Sequence, residues 1–416
     1  MSLQVTTYVC PYDKWHDPNQ VYPQAALKLT AAATGSTFTR LSMSRFPTLL
    51  RPLRQCRDSH RLQKLIGNPK YLHRLLDRIA VAIAGPTKTP SGLFHNVVGQ
   101  YLFKSKDGKE CKVCIDGSDS CEISHQGLVD WSDIYFKING SRARHYPEKI
   151  LPMFNGDPRV LQEIARLRSF RTMQKRYDVC FIVRVWGGTN EIEGIEHSVR
   201  MLEALARAKC KTYLAPFLVA GDIRELGRRL ASRGIPATTS PTPVGELWRI
   251  AAQSRLTVIR LGNHYCIPWG MTAALAMGGC LALDRPPYTV WPEPLLENTN
   301  FLSLDLDVGL GKPLASDDQY SAIPGKIERW LSDDERINRI SRQNADYFDR
   351  FLAPEKVGGY IRETVARWLD TSVEFSGSPT SGINGPQGCS GLQNASETSR
   401  PAPSAEYPTP RSTILK

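Results

Sequence analysis

Residues 269–284 read Trp-Gly-Met-Thr-Ala-Ala-Leu-Ala-Met-Gly-Gly-Cys-Leu-Ala-Leu-Asp. A helix of small side chains runs into Gly278-Gly279, and a short apolar strand follows, ending at Asp284. Ala, Met and Gly let such a helix lie close against a sheet. A strand apolar at every position is buried on both faces, as in a parallel sheet covered by helices. Its polar residue falls at the carboxyl end, where open α/β sheets hold their ligands. The stretch therefore predicts an α/β fold with a site beside Asp284.

The neighbouring sequence repeats the pattern. An apolar strand over 178–185 leads through Trp186-Gly187-Gly188-Thr189-Asn190 into a helix over 195–208. A strand over 212–218, a helix over 223–233, a Pro/Thr-rich loop over 235–243, a helix over 244–254 and a strand over 256–261 come next. A further strand begins at Phe301, helices span 323–331 and 334–351, and a last amphipathic helix spans 357–369 beyond Pro354. Strands alternating with helices of this length predict right-handed βαβ units in a doubly wound sheet.

The first half reads less regularly. Residues 1–9 suit a strand rather than a signal peptide, since a basic start and a long apolar run are both missing. A helix over 23–33 and strands over 38–41, 112–116 and 133–138 suggest another α/β unit. Domains are expected at 1–171 and 172–370. The composition of 371–416 turns to Ser, Pro, Gly, Thr and Asn, predicting a disordered tail.

The chain has 416 residues, enough for two domains with separate cores, and 41% hydrophobic residues. Its net charge of +12 suits phosphorylated substrates, anionic membranes or nucleic acid. No apolar run approaches the roughly 18 residues of a membrane span. The basic stretch over 45–78 has three readings: a solvated helix face, a patch making peripheral contact with anionic membrane, or a nucleic-acid contact. Nucleic acid ranks last, because no recognised module accompanies the charge. Ten scattered cysteines fit a reduced, cytoplasmic protein. Cys111, Cys114 and Cys121 near His125 suit either a metal site or a plain strand, and alternation along Cys111, Val113 and Ile115 favours the strand.

Two Rossmann-like domains with a helical end free to cross back form the layout of GT-B glycosyltransferases. Residues 246–254 resemble the helix before that family's donor-side strand. Residues 274–281, Ala-Leu-Ala-Met-Gly-Gly-Cys-Leu, resemble the group 1 helix–turn–strand beside the nucleotide-sugar. Residues 323–348 resemble its terminal helical pattern, and residues 115–119 and 133–137 resemble segments of spore-protein-type members. The resemblance implies two Rossmann-like domains facing a cleft, and transfer of a sugar from a nucleotide-sugar donor. The acceptor it leaves open, with a lipid-linked molecule or a glycan among the possibilities. It implies no cofactor and no metal. Retaining group 1 members place a glutamate immediately before the Ala-Leu-Ala step, where this chain has Ala273. That departure admits a second reading, a non-catalytic nucleotide-sugar or glycan-binding protein on the same scaffold.

The candidate residues follow from position. Backbone N–H groups of Gly187, Gly188 and Thr189 open a helix after a buried strand and suit a diphosphate, with Arg184 to neutralise it. His264 and Tyr265 follow the strand over 256–261, facing the cleft. Gly278 and Gly279 form the turn that carries the resemblance. Asp284 suits a ribose or sugar hydroxyl, or a plain turn; Tyr288 and Trp291 suit stacking or loop packing. For inversion the acceptor needs a base. His16 between Asp13 and Asp17 lies in the loop after the first strand, and Asp116 and Asp119 follow another strand. An ordinary loop histidine remains the alternative for His16.

Overall fold

The computed structural model describes residues 2–9, 16–42, 89–93, 95, 97–186, 191–262, 266–309, 312 and 314–375. The basic stretch over 45–78, the loop over 187–190, His264, Tyr265 and the segment after 375 lie outside the described residues.

In the first lobe, β1 (Leu3–Val9), α1 (His16–Ala33) and β2 (Thr37–Ser42) form a parallel crossover, with Val5 opposite Phe38. The sheet grows on the other side of β1 through β3 (Val98–Ser105), β4 (Glu110–Asp116), β5 (Ile134–Lys137) and β6 (Ile150–Pro152). β3 runs antiparallel to both β1 and β4, while β4, β5 and β6 are parallel. No apolar pattern announces β3, because Gly99 and Gln100 interrupt it. Their reason is packing. A Cβ at Gly99 would lie 2.2 Å from Gln20 Oε1. The buried Gln20 amide instead donates to Ile115 O at 2.9 Å, and its oxygen accepts from Tyr101 OH at 2.8 Å.

Alternation on β4 explains the cysteines. Cys111, Val113 and Ile115 enter the large core, whereas Cys114 enters the small cluster with Leu128 and Tyr135. Three positions apart on a strand, Cys111 and Cys114 face opposite sides of the sheet and cannot share a metal. His125 caps α2 (Gln126–Trp131), its Nδ1 accepting from Leu128 N at 3.3 Å.

After α3 (Ile164–Ser169) and one tight turn, Phe170–Thr172, the second lobe begins with β7 (Tyr177–Val185). It continues α4 (Glu191–Leu205), β8 (Thr212–Leu218), α5 (Ile223–Ala231), α6 (Val244–Ala252), β9 (Ser254–Ile259), α7 (Trp269–Ala276), β10 (Leu281–Leu283) and β11 (Phe301–Ser303). Every pairing is parallel, in the order β11-β10-β9-β7-β8. Thr238 makes one parallel bridge to Phe217 at the β8 edge, a rudiment of a strand. With it the order becomes 3-2-1-4-5-6, that of a dinucleotide-binding sheet, and the winding reverses between β7 and β9.

Residues 271–276 of α7 and all of β10 are buried, as the small-residue pattern predicts. Helices α8 (Asp317–Ser321), α9 (Ile323–Leu331) and α10 (Asp334–Tyr347) close this lobe. The last helix, α11 (Pro354–Phe375), crosses to the first lobe. Its Val357, Ile361, Val365 and Leu369 share one core with Leu3, Val5 and Leu27, and also with Met271 and Leu275 of α7. Hydrogen bonds fasten the return, among them Tyr22 OH to Leu352 O at 2.5 Å, Tyr360 OH to Pro152 O at 2.8 Å and Arg362 Nη2 to Ser36 Oγ at 2.8 Å. Among the described residues no helix is long and apolar enough to cross a membrane.

Candidate functional site

A cavity of about 700 Å³ lies at the winding reversal. Its floor is β7 and β9, through Cys180, Ile182, Thr257 and Ile259. α6 walls it with Val244, Leu247, Trp248 and Ala251, and α7 with Gly270, Ala274 and Met277. At the carboxyl ends of the strands stand Arg184, Trp186, Arg260 and Gly262, and across from them Asp119, Ser120 and Arg159 of the first lobe. Both lobes therefore contribute to one site.

Four features make the mouth electropositive. Helices α6 and α7 begin with Pro243 and Pro268 at the N-cap, and neither receives a side-chain cap. Val244, Pro268 and Gly270 line the cavity, so the first turns of both helices, with backbone N–H groups left for a ligand, meet it. Arg184 stacks over Trp186 at 5.5 Å and, among the described residues, pairs with no carboxylate. Arg260 is half-buried, and burial holds its guanidinium below the ordinary value despite Asp284 nearby. Its Nη1 donates to Trp186 O at 3.2 Å and Ser198 Oγ at 2.9 Å, fixing the strand ends. Arg159 is aimed by the fully buried Asp157, with Nε–Oδ1 at 2.9 Å and Nη2–Oδ2 at 2.8 Å.

The loop carrying Asp119 is built on Asp116. Burial raises the Asp116 carboxyl, but Lys137 outweighs it with help from Ser118 N–H and two hydroxyls, holding it below the usual range. Its oxygens accept from Ser118 N at 2.9 Å, Ser124 Oγ at 2.9 Å and Tyr135 OH at 2.8 Å, with Lys137 Nζ at 3.2 Å. Lys137 Nζ also donates to Ser118 Oγ at 2.6 Å, and Asn139 Nδ2 donates to Ser118 O at 2.9 Å. Asp116 therefore has no capacity left for a substrate proton. It positions Asp119.

Asp284 is enclosed in the same way. Oδ1 accepts from Leu261 N and Arg285 N, each at 3.1 Å; Oδ2 accepts from Arg285 Nη1 at 2.7 Å and His197 Nε2 at 3.2 Å. The His197 ring nitrogen Nδ1 lies 2.6 Å from Tyr320 OH. Since a carboxylate only accepts, Nε2 carries the proton and Tyr320 donates to Nδ1. With no exposed surface, Asp284 ties β9, β10 and α4 together and is not available to a sugar hydroxyl.

The other candidate residues separate. Arg184 and Asp119 line the cavity; Gly278 and Gly279 do not. Gly278 sits at φ +63°, and a Cβ there would lie 3.0 Å from Ser341 O, so the turn serves packing against α10. Trp291 is 1% exposed and stacks on Tyr347 at 6.4 Å, a core residue rather than a platform for a base. Tyr288 is exposed, and its carbonyl accepts from Arg142 N at 3.2 Å across the lobes. Ala273 belongs to the shared core, where a carboxylate would be unsolvated, while its neighbour Ala274 faces the cavity. His16 opens α1, and its side chain, like Asp13, Gly187, Gly188, Thr189, His264 and Tyr265, lies outside the described residues. Sequence reasoning missed Arg159, Trp248, Lys137, His197 and Tyr320. Only Arg159 had a local sign, the helix-capping Asp157-Pro158 before it. Among the described residues no three His, Cys, Asp or Glu side chains converge as a metal cage.

No family model matches the chain, and no curated protein matches it. Among solved structures, TarM of S. aureus is similar at 8% identity over 89% of this chain and 98% of that one, TM-score 0.45. HepE of Anabaena, solved with UDP and glucose, is similar at 10% identity over 87% and 98%, TM-score 0.38. Likenesses this distant carry no argument of their own. Two Rossmann-like sheets, one cavity between them and a last helix that returns to the first lobe define the class as GT-B-like.

Proposed function

We propose that the chain is a glycosyltransferase that takes a nucleotide-sugar donor at the mouth of the cavity between the lobes. One observation carries this: the first turns of α6 and α7 and the Arg184 side chain meet at the winding reversal, with Asp119 opposite. Unpaired N–H groups at two helix starts, backed by a guanidinium, are suited to a diphosphate. They stabilise it more as charge accumulates on the leaving group, so the same contacts favour departure. On this reading phosphate charge is met by the protein's own N–H groups and arginines, without a metal.

The transfer breaks the bond from the sugar's anomeric carbon to the diphosphate, which leaves with the electron pair. A new bond forms to an acceptor oxygen, whose proton passes to a base. Asp119 is the described carboxylate on the cavity wall and takes that role; the Asp116–Lys137 pair holds its loop in place. Neutralising Arg184 as Arg184→Ala lowers donor affinity by roughly tenfold or more, a charge-assisted contact's share. Asp119→Asn leaves donor affinity near wild type and cuts transfer by roughly a hundredfold or more. Calorimetric titration of a nucleotide-sugar panel, with product analysis by mass spectrometry, checks both. If Asp119→Asn turns over normally, Asp119 is not the base.

The burial of Ala273 favours one further reading, a binding protein without turnover, since no donor-side carboxylate stands on α7. Donor binding with no transfer and no hydrolysis across the panel would select it.

A further inference from the structure

The contacts suited to a diphosphate belong to the second lobe. Opposite them, Arg159 lines the cavity from the first lobe, with Asp119 and Ser120. Its side chain is half exposed, while its partner Asp157 is fully buried. Asp157 Oδ1 accepts from Arg159 N and Arg159 Nε, each at 2.9 Å, and Oδ2 accepts from Nη2 at 2.8 Å. This pairing uses one edge of the guanidinium. Among the described residues nothing accepts from Nη1, so the other edge, Nη1 with the second proton of Nη2, is left for what enters the cavity. The segment bearing Arg159 is also tied to the donor side. Asn155 Nδ2 donates to Ile267 O at 2.8 Å, and Thr272 Oγ1 of α7 donates to Asn155 O at 3.1 Å. Between them Gly156 lies so close to Tyr22 that a Cβ would stand 2.1 Å from the ring. The guanidinium is thus aimed before a ligand arrives, which lowers the ordering cost of binding.

We infer that Arg159 binds a carboxylate on the acceptor, so that the site takes hydroxyl compounds that carry an acid group. A fork of two N–H donors matches a planar carboxylate in a bidentate pair. One negative charge suits this wall better than two. Asp157 already offsets part of the arginine's charge, and Asp119 stands on the same wall, so a phosphate dianion is repelled more strongly. The tie through Asn155 holds an acceptor anchored on Arg159 at a set place relative to the start of α7. A hydroxyl of the same molecule is then left for Asp119. The ligand's role as acceptor rests on the glycosyltransferase reading; the carboxylate contact does not.

Ligand-detected NMR titration of the full chain tests it with two matched pairs, glucuronate against glucose and glycerate against glycerol, and with glucose 6-phosphate. Pyrophosphate is present throughout to fill the diphosphate contacts. In at least one pair the acid should bind roughly tenfold or more tightly than its neutral partner. Glucuronate should also bind more tightly than glucose 6-phosphate. Arg159→Gln should abolish the preference for the acid and leave pyrophosphate affinity near wild type. Arg159→Lys should recover only part of the preference, since an ammonium keeps the charge and loses the fork. A folded Asp157→Asn variant should bind the acid more weakly, although loss of a negative charge by itself strengthens an anion. Tighter binding there would show that Asp157 does not aim the guanidinium. No preference for the acid in either pair would overturn the inference, and so would a preference that survives Arg159→Gln. Tighter binding of glucose 6-phosphate than of glucuronate, lost in Arg159→Gln, would replace the carboxylate by a phosphate. Loss of pyrophosphate affinity in Arg159→Gln as large as in Arg184→Ala would assign Arg159 to the donor instead. An Arg159-dependent preference with no response to any nucleotide-sugar would leave the acid site standing and remove the glycosyltransferase reading.

Discussion

At the scale of single residues, the buried charges carry the sharpest consequences. Asp284 faces Arg285 and His197 with no water to replace it, so Asp284→Asn leaves positive charge uncompensated. Loss of one partner of such a pair costs about 3–5 kcal/mol, measurable as a shift in the urea midpoint with the slope unchanged. The pH dependence follows from the same group of residues. Burial holds His197 below the ordinary imidazole value of 6.5, more than its bond to Asp284 raises it. Below that pH the unfolded chain takes up a proton that the folded chain resists, so stability falls as the pH drops through this region. Burial raises Asp284, but Arg285 and His197 together hold it below 3.8, so its contribution is present above that value and is lost on further acidification. His197→Gln should flatten the upper part of this decline and leave the lower part in place. An identical stability profile between about pH 7 and about pH 5 would show that the imidazole contributes nothing.

Elements are set by where their backbones come close. Glycine at 358 lets α11 lie on α1, because a Cβ there would stand 2.2 Å from Ala26 O. Gly358→Ala forces two backbones apart and should cost about 1–3 kcal/mol. Gly227 on α5 has nothing within 4 Å of the same position, so Gly227→Ala should stabilise by about 0.5–1 kcal/mol. Thermal melts of the two variants should therefore move in opposite directions; matching shifts would sink the packing account. The contrast marks what the sequence makes legible. Strand and helix of the second lobe can be read from it, because a parallel sheet writes continuous apolar runs such as 178–185 and 281–283. β3 cannot, since its Gly99 and Gln100 make sense only beside Gln20, nearly eighty positions away. The site divides likewise: Arg184 stands at the end of one strand and Asp119 follows another, so both are visible, while Trp248 looks like any helix core residue. Asp284 misleads for the opposite reason, its strand-end position being right and its burial invisible.

For the whole molecule, the decisive fact is that the largest apolar cluster is shared by both lobes, beside a second cluster that belongs to the second lobe alone. Leu3, Val5 and Leu27 of the first lobe pack in one cluster with Met271 and Leu275 of α7 and with Val357, Ile361 and Val365 of α11. The cavity depends on that cluster, since α7 forms its wall on one side and the shared core on the other. Two Rossmann-like units with separate cores would unfold in separate steps, whereas a shared core makes each unit's apolar surface part of the other's stability. We therefore expect one calorimetric transition, with the measured enthalpy equal to the van't Hoff value. Ile361→Ala is the test of the coupling. It lies on the return helix, fully buried and away from the cavity lining, and its truncation should cost about 2–5 kcal/mol. The single transition should shift to lower temperature as a unit, and hydrogen exchange should quicken in β1 and in β10 together. A second transition splitting from the first, or faster exchange confined to β1, would mean that α11 stabilises only the first lobe and that the two sides of the cleft are held independently.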